Sequence, residues 1–325
     1  MSYHVYKLKF PHGIHIGGSG GAGLEGTDFS MRSDTFYSAF CQEYVSLYGA
    51  EELVSMVEKD SLKVSDLLPF KGDIFYLPKP CVNIDRDQSM RQKTVDRKKV
   101  KALNYLPFEK LQDYISFLET GKNFPEVDTD FGDKQLHTKN QISREGKDTE
   151  PYNIEVFRFN SESGLYVIAE FDEDFKGVFE AVLDSLSLRG IGGKKSSSCG
   201  QFEVSEKIFP EEKETLGTSV SSLYKALRQS AKNYILLSSY LPLPEEIEDL
   251  NSKENGYQLI RRSGFVNLSS YSSRSQKRKQ VHMISSGSVL NFKPEGKVAD
   301  LKLHGAHSIY RMGKPLVMGV ELCRE

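Results

Sequence analysis

Residues 189–202 of this 325-residue chain combine glycines, lysines and serines in one stretch suited to meeting an anionic partner. Gly190, Gly192 and Gly193 accept positive φ and let the backbone approach another molecule closely. Lys194 and Lys195 add cations, and Ser196, Ser197 and Ser198 add hydroxyl donors. Such donors suit the phosphate oxygens of a polyanion. The same composition also serves as a surface turn between a helix and a strand, so the setting of the loop has to decide between the two.

Two nucleotide fingerprints fail at named residues. As a P-loop, the stretch places Leu188 where the first glycine belongs and Lys195 where Ser or Thr holds magnesium. Gly18, Gly20 and Gly23 satisfy the GxGxxG spacing, yet residues 24–32 separate them from the next helix and no βαβ unit with a ribose-binding acid follows. A flexible loop is the better reading there. His4, His12 and His15 sit near one another along the first strand and its turn, which invites a general acid/base assignment. The His12–His15 spacing breaks strand alternation, so no single cluster is enforced, and histidines tied into local hydrogen bonds are the competing reading. Cys41, Cys81, Cys199 and Cys323 form no CxxC pair, and no HExxH or GxSxG motif occurs. Neither a metal site nor a cofactor is expected.

Lys and Arg number 43 against 45 Asp and Glu, a formal charge of -2, so any nucleic-acid surface must come from local patches. With 38% apolar residues the chain can build two packed domains. No apolar run approaches the roughly 18 residues of a membrane helix, and the N-terminus lacks a signal-peptide core. A reduced, cytoplasmic protein without membrane contact is the expectation.

Residues 3–10 alternate as a half-buried strand. Ser33-Asp34 reads as the N-cap of a helix carrying Phe36, Phe40, Tyr44 and Tyr48 and stopped by Gly49. A short helix at 50–59, a strand at 74–80 ended by prolines, a basic run at 92–101 and a helix at 108–118 follow. Residues 122–151 are polar and should protrude as a loop or hairpin, with 136–144 as one arm. Strands at 154–159 and 164–171 precede a helix at 175–188 with Val178, Phe179, Val182, Leu183 and Leu186 on one stripe; the glycine loop then leads to a strand at 202–208. This β-α-β…β-α-β order over 1–208 is the split βαβ, or ferredoxin-like, arrangement. Past a charged linker at 209–218, a helix at 219–230 and strands at 234–240, 257–265, 281–292 and 308–320 form a second, irregular domain. Its segment 269–279 sets Arg274, Lys277, Arg278 and Lys279 among serines as a basic loop.

Taken together, Ser33-Asp34-Thr35-Phe36-Tyr37-Ser38-Ala39-Phe40, Leu77-Pro78-Lys79-Pro80, the loop 190–202 and Arg311-Met312-Gly313-Lys314-Pro315 resemble the RAMP superfamily, the repeat-associated proteins of CRISPR systems. Within it the likeness is to the fourth-subunit family of the type III-A (Csm) interference complex, and it spans nearly the whole chain. The resemblance implies an α+β protein of two ferredoxin-like (RRM-like, split βαβ) domains, 1–208 and 219–325, with a protruding β-hairpin thumb at about 122–151. It implies a non-catalytic RNA-binding subunit of an antiviral ribonucleoprotein. That subunit anchors the repeat-derived 5′ tag of the crRNA and docks the large polymerase-nuclease subunit. An adjacent backbone RAMP subunit and the target RNA near the 5′ end of the guide are the other implied partners. By position, Gly190, Ile191, Gly192, Gly193, Lys194, Lys195, Ser196, Ser197 and Ser198 clamp the tag backbone, with Arg32 and Ser33 beside it. His137, Lys139, Gln141 and Arg144 of the thumb face the first guide nucleotides. The chain departs from the superfamily pattern in Cys199 and in its polar thumb. The alternatives are a metal-independent RAMP endoribonuclease that processes precursor crRNA with His12 or His15 as general acid/base, and an assembly subunit whose loop meets protein.

Overall fold

A computed structural model describes residues 1–17, 24–82, 94–141, 150–209, 218–265, 277–302 and 308–322. The chain opens with β1 (Ser2–Lys9), the paired β2 (Ile16–Gly17) and β3 (Thr27–Asp28), α1 (Ser33–Tyr48) and α2 (Ala50–Glu58). β4 (Lys63–Val64), β5 (Leu68–Lys71), β6 (Ile74–Pro78), α3 (Thr94–Ala102), β7 (Tyr105–Pro107) and α4 (Leu111–Thr120) follow. Then come β8 (Gly132–Gln141), β9 (Glu150–Phe159), β10 (Ser163–Phe171), α5 (Lys176–Arg189) and β11 (Glu203–Ile208). The remainder supplies α6 (Thr218–Arg228), β12 (Asn233–Leu236), the single turn α7 (Glu246–Asp249), β13 (Leu259–Arg262) and β14 (Val281–Ile284). It ends with β15 (Val289–Leu290), β16 (Ala299–Asp300), β17 (Tyr310–Arg311) and β18 (Val317–Val320). The protein is a mixed α+β molecule built on antiparallel sheets.

The main sheet runs β11-β1-β10-β5-β6-β7, with β4 also paired to β10. Its strands obey period two. Tyr6 and Leu8 of β1 and Leu165, Val167 and Ala169 of β10 join Phe36, Phe40, Phe179 and Val182 in a core under α1 and α5. The Phe179 ring lies 5.1 Å from Tyr6 and 5.2 Å from Phe40, and each such buried aromatic contributes about 1.5–3 kcal/mol. α1 begins where its sequence predicts, but Ser33 and Asp34 do not cap it. Arg32 holds the cap position without a side-chain cap bond, and the Ser33 N–H donates instead to Asp66 Oδ1 at 2.7 Å.

On the opposite face, Val5, Tyr166 and Ile168 pack in one cluster with Leu111, Tyr114 and Ile115 of α4 and with Leu223, Ile235 and Met318 of the C-terminal segment. The two halves of the chain therefore share a core. The C-terminal segment folds as the sheet β15-β12-β18, flanked by α6 and by the ribbons β13-β14 and β16-β17. The stretch 281–292, expected as one strand, divides into β14 and β15. Gly287 turns there at φ 84°, and a Cβ on it would lie 2.6 Å from the Lys79 carbonyl oxygen.

β8 and β9 form a ten-pair antiparallel hairpin, from Gly132↔Phe159 to Gln141↔Glu150. Residues 154–159, expected as a strand of the body, are its return arm. The base is anchored by the Ile14↔Phe157 bridge and by Phe29 stacked on Phe157 at 4.9 Å. Arg144 lies outside the described residues, as do the glycines at 18–23 and most of the basic loop at 269–279.

Candidate nucleic-acid interface

Helix α5 ends on Gly190, at φ 79°, whose N–H donates to the Leu186 carbonyl at 2.7 Å. Ile191 turns into the core and donates to the Gly200 carbonyl at 2.9 Å; Gly193 donates to the His15 carbonyl at 2.8 Å, and Gly200 to that of Gly13 at 2.9 Å. A Cβ on Gly192 would stand 2.6 Å from the His15 carbonyl oxygen, and one on Gly200 1.8 Å from that of Ile191. The glycines thus serve the chain's own close packing, and the loop is a fixed platform on the turn after β1. Lys194 and Ser198, both with φ near the left-handed well (57° and 60°), bracket a single 3₁₀ turn that lifts Ser196, Ser197 and Ser198 to the surface. Lys194 and Lys195 are half-buried beside it.

The hairpin meets this platform. Tyr152, Ile154 and Val156 of β9 pack on Cys199, and the Lys194 ammonium sits 5.0 Å from the Tyr152 ring centre. His137 pairs with Ile154 and Lys139 with Tyr152 across the ladder, so both share the face turned to the loop. The backbone of Gln141 closes the ladder opposite Glu150.

A groove of about 850 Å³ opens between the loop, the start of α1, the end of β6 and the C-terminal segment. Gly192, Gly193 and Lys195 line it from the loop, Arg32, Lys79 and Lys101 from the first half, and Arg262, Arg278 and Arg311 from the second. Asp28 and Asp34 are the only carboxylates among these lining residues. Asp34 is fully buried and receives Arg262 through two bonds (Nε to Oδ2, 3.0 Å; Nη2 to Oδ1, 2.9 Å) together with Arg311 Nη1. Arg32 donates to Asp66 Oδ2 at 3.1 Å and to Ser286 Oγ at 2.6 Å. Burial lowers the pKa of Lys79, whose ammonium donates to the Val100 carbonyl at 2.8 Å. Phe29 and Tyr105, with ring centres 5.6 Å apart, add aromatic surface.

Of the residues expected at the site, the structure gathers Arg32, Gly192, Gly193 and Lys195 at the groove and His137, Lys139 and Lys194 around the hairpin-facing side of the loop. Ser33 is a correction: its side chain is sealed in the interior, with Oγ accepting the Ser239 N–H at 2.9 Å, because α1 starts beneath the C-terminal segment. Ile191 is likewise a core residue that shapes the loop. Sequence reasoning missed Lys79, Lys101, Arg262 and Arg311 as lining residues. Lys101 lay in a basic run given no site role, Lys79 and Arg311 sat inside motifs that had no assigned chemistry, and Arg262 gave no signal.

The three histidines diverge. His4 is buried and stacked on Phe171 at 4.2 Å, His12 is exposed, and His15 is sealed under Gly193 with Nδ1 donating to the Glu155 carbonyl at 2.7 Å. Among the described residues no three His, Cys, Asp or Glu side chains converge to hold a metal ion, and no helix is long and apolar enough to cross a membrane.

Residues 11–203, more than half of the chain, match the RAMP superfamily model. The chain belongs to the RAMP superfamily. Residues 229–320 match the CRISPR Csm4 C-terminal domain. Two relatives, both named CRISPR system Cms protein Csm4, align end to end. That of Mycobacterium tuberculosis is 29% identical over 320 residues, covering 98% of each chain, and that of Streptococcus thermophilus is 26% identical over 330 residues, covering 99% of this chain and 100% of the other. The same fold appears in a Csm3-Csm4 subcomplex of the type III-A CRISPR-Cas interference complex (TM-score 0.63, 18% identity, 99% and 100% coverage). It appears again in a Csm1-Csm4 cassette in complex with pppApA (TM-score 0.59, 18% identity, full coverage of both chains).

Proposed function

We propose that this chain is a non-catalytic RNA-binding subunit of a type III-A CRISPR effector complex, anchoring the repeat-derived 5′ tag of the crRNA. It docks the large polymerase-nuclease subunit and an adjacent backbone RAMP subunit, with target RNA near the 5′ end of the guide, in a cytoplasmic particle. The observation that carries this reading is the groove, where seven lysines and arginines face two carboxylates, one of them already paired with two arginines. A net-negative protein concentrates cations this way to hold a polyanion. The full-length relatives named Csm4, and solved neighbours assembled with Csm1 and with Csm3, support the partners.

In the same reading, 1–208 is a ferredoxin-like domain, supported by the strand order β11-β1-β10-β4 with α1 and α5 packed together on one face. Residues 219–325 form the second such domain around β15-β12-β18, and the β8-β9 hairpin is the thumb. Lys194, Lys195 and Ser196 to Ser198 grip phosphates at the groove margin, and the exposed parts of Phe29 and Tyr105 offer aromatic surface to bases. The endoribonuclease alternative gains nothing from the histidines, since His4 and His15 are buried and His12 alone is exposed. The test is RNA binding by the reconstituted complex with Lys194 and Lys195 both changed to Ala. The slope of log affinity against log salt should flatten by about 1.4, at ~0.7 per lost contact. Unchanged affinity and slope overturn the reading, and cleavage in EDTA that disappears in His12→Ala/His15→Ala would install the endoribonuclease instead.

A further inference from the structure

The groove floor contains a device that simple phosphate binding does not require. Arg262 comes from β13 and Arg311 from β17, two strands of separate ribbons in the C-terminal segment, yet both guanidiniums close on Asp34 at the start of α1. Arg262 Nη2 donates in addition to Thr35 Oγ1 at 2.6 Å. Arg311 Nε has no hydrogen-bond partner although the side chain is only 5% exposed. Arg278 lines the same groove, its Nε given to the Phe265 carbonyl at 3.1 Å, and burial lowers its pKa while Asp34 opposes that shift. Beside them Asp66 holds Arg32. Four arginines and two buried carboxylates thus leave the floor with an excess of two positive charges, and the fully buried Asp34 fixes where two of them point.

From this geometry we infer that Asp34 is a positioning and charge-setting residue that makes the groove selective among polyanions. The inference rests on the RNA-groove reading. Arg262, held by Asp34 and Thr35 yet 22% exposed, keeps its remaining Nη1 donors in one direction while the nearly buried Arg311 braces the same carboxylate, an arrangement that fits one path of a phosphate backbone and penalises others. With Asp34 neutral, the floor gains one net positive charge and both forks lose their anchor. Attraction to any polyanion rises, and the preference for one RNA falls.

The experiment compares the purified full-length chain with Asp34→Asn and Arg311→Lys variants. The probes are a fluorescent single-stranded RNA bearing the chain's own repeat-derived tag and a scrambled RNA of the same composition, titrated across a range of salt. Asp34→Asn should bind the scrambled RNA more tightly, steepen its salt slope by about 0.7 for the added charge, and lose about tenfold in the tag-to-scramble ratio. Arg311→Lys keeps the charge but not the fork, so it should lower the ratio at unchanged slope. If both variants shift only the melting temperature and keep the wild-type ratio and slope, Asp34 is merely structural and the inference is overturned. Where Asp34→Asn does not fold, Arg311→Lys decides alone. A wild-type chain that binds neither RNA, alone or in the reconstituted complex, refutes the RNA-groove reading itself.

Discussion

Gly193 lies against the ring of His15: its N–H donates to the His15 carbonyl at 2.8 Å, and a Cβ on Gly193 would come within 2.8 Å of the imidazole Cδ2. The imidazole is held from its other side by the Glu155 carbonyl of β9. The turn after β1, the glycine loop and the hairpin base are therefore joined through one enclosed histidine. The loop's shape is set by packing within the chain itself.

Gly192→Ala should consequently destabilise the fold by about 1–3 kcal/mol, because φ is 85° and the new methyl meets the His15 carbonyl oxygen. Gly177→Ala in α5 is the matched control. Nothing lies within 4 Å of its Cβ, so it should be neutral or stabilise by about 0.5–1 kcal/mol. Urea midpoints of the two variants measure the difference, and equal midpoints would remove the packing account of the loop.

Glu43 secures the same loop from α1. Its buried carboxylate accepts Ser185 Oγ at 2.5 Å and pairs with Arg189 Nη1 at 3.0 Å, at the end of α5 from which Gly190 departs. Glu43→Gln should cost about 1–3 kcal/mol, the range for stranding a buried polar partner, reduced by the solvent exposure of Arg189. It should also loosen the loop, read as faster amide exchange at Ile191 and Gly193, whose N–H groups bond Gly200 and His15. Wild-type exchange at those two amides would contradict the tether.

The helices were legible in the sequence because stripes such as Phe36-Phe40-Tyr44 and Phe179-Val182-Leu186 state their own periodicity, and Gly49 and Gly121 mark the stops. The glycine loop stood out by composition, though Gly192 and Gly193, which read as ligand-facing, pack on His15. The arginine floor was not legible. Arg262 and Arg311 meet Asp34 only through contacts spanning more than 200 residues of sequence. Ser33-Asp34 carries the signature of a cap, and nothing local reveals that the C-terminal segment covers it. The shared core was hidden for the same reason: Val5 and Ile168 alternate as any two-faced strand does, whatever lies opposite.

His4 gives the stability a pH dependence. Burial lowers its pKa below the ordinary 6.5, outweighing the pull of Glu173 Oε2 at 3.9 Å. The unfolded chain therefore takes up the proton at higher pH than the folded one. The contribution is complete above 6.5 and is lost as pH falls through the lowered folded value. His4→Phe, which preserves the stacking on Phe171, should flatten the fall of the unfolding free energy below pH 6.5. A His4→Phe curve as steep as that of the wild type would rule His4 out as the source.

The shared core predicts how the two halves behave when cut apart. Val5, Tyr166, Ile168 and Ile208 of the first half share one buried cluster with Leu223, Leu227, Ile235 and Met318 of the second, Tyr224 Oη donates to the Ile208 carbonyl at 2.8 Å, and the Asp66 N–H donates to that of Leu237 at 2.8 Å. Fully re-exposing four large apolar side chains costs on the order of 6–12 kcal/mol, so even partial exposure of this cluster takes a large share of an ordinary domain's stability. A fragment of residues 1–209 should therefore bind ANS and melt without cooperativity, while co-expression with 218–325 restores a single transition. A fragment 1–209 that melts cooperatively at the temperature of the full chain would show that the halves fold independently, and the cover over Val5 and Ile168 would then be dispensable.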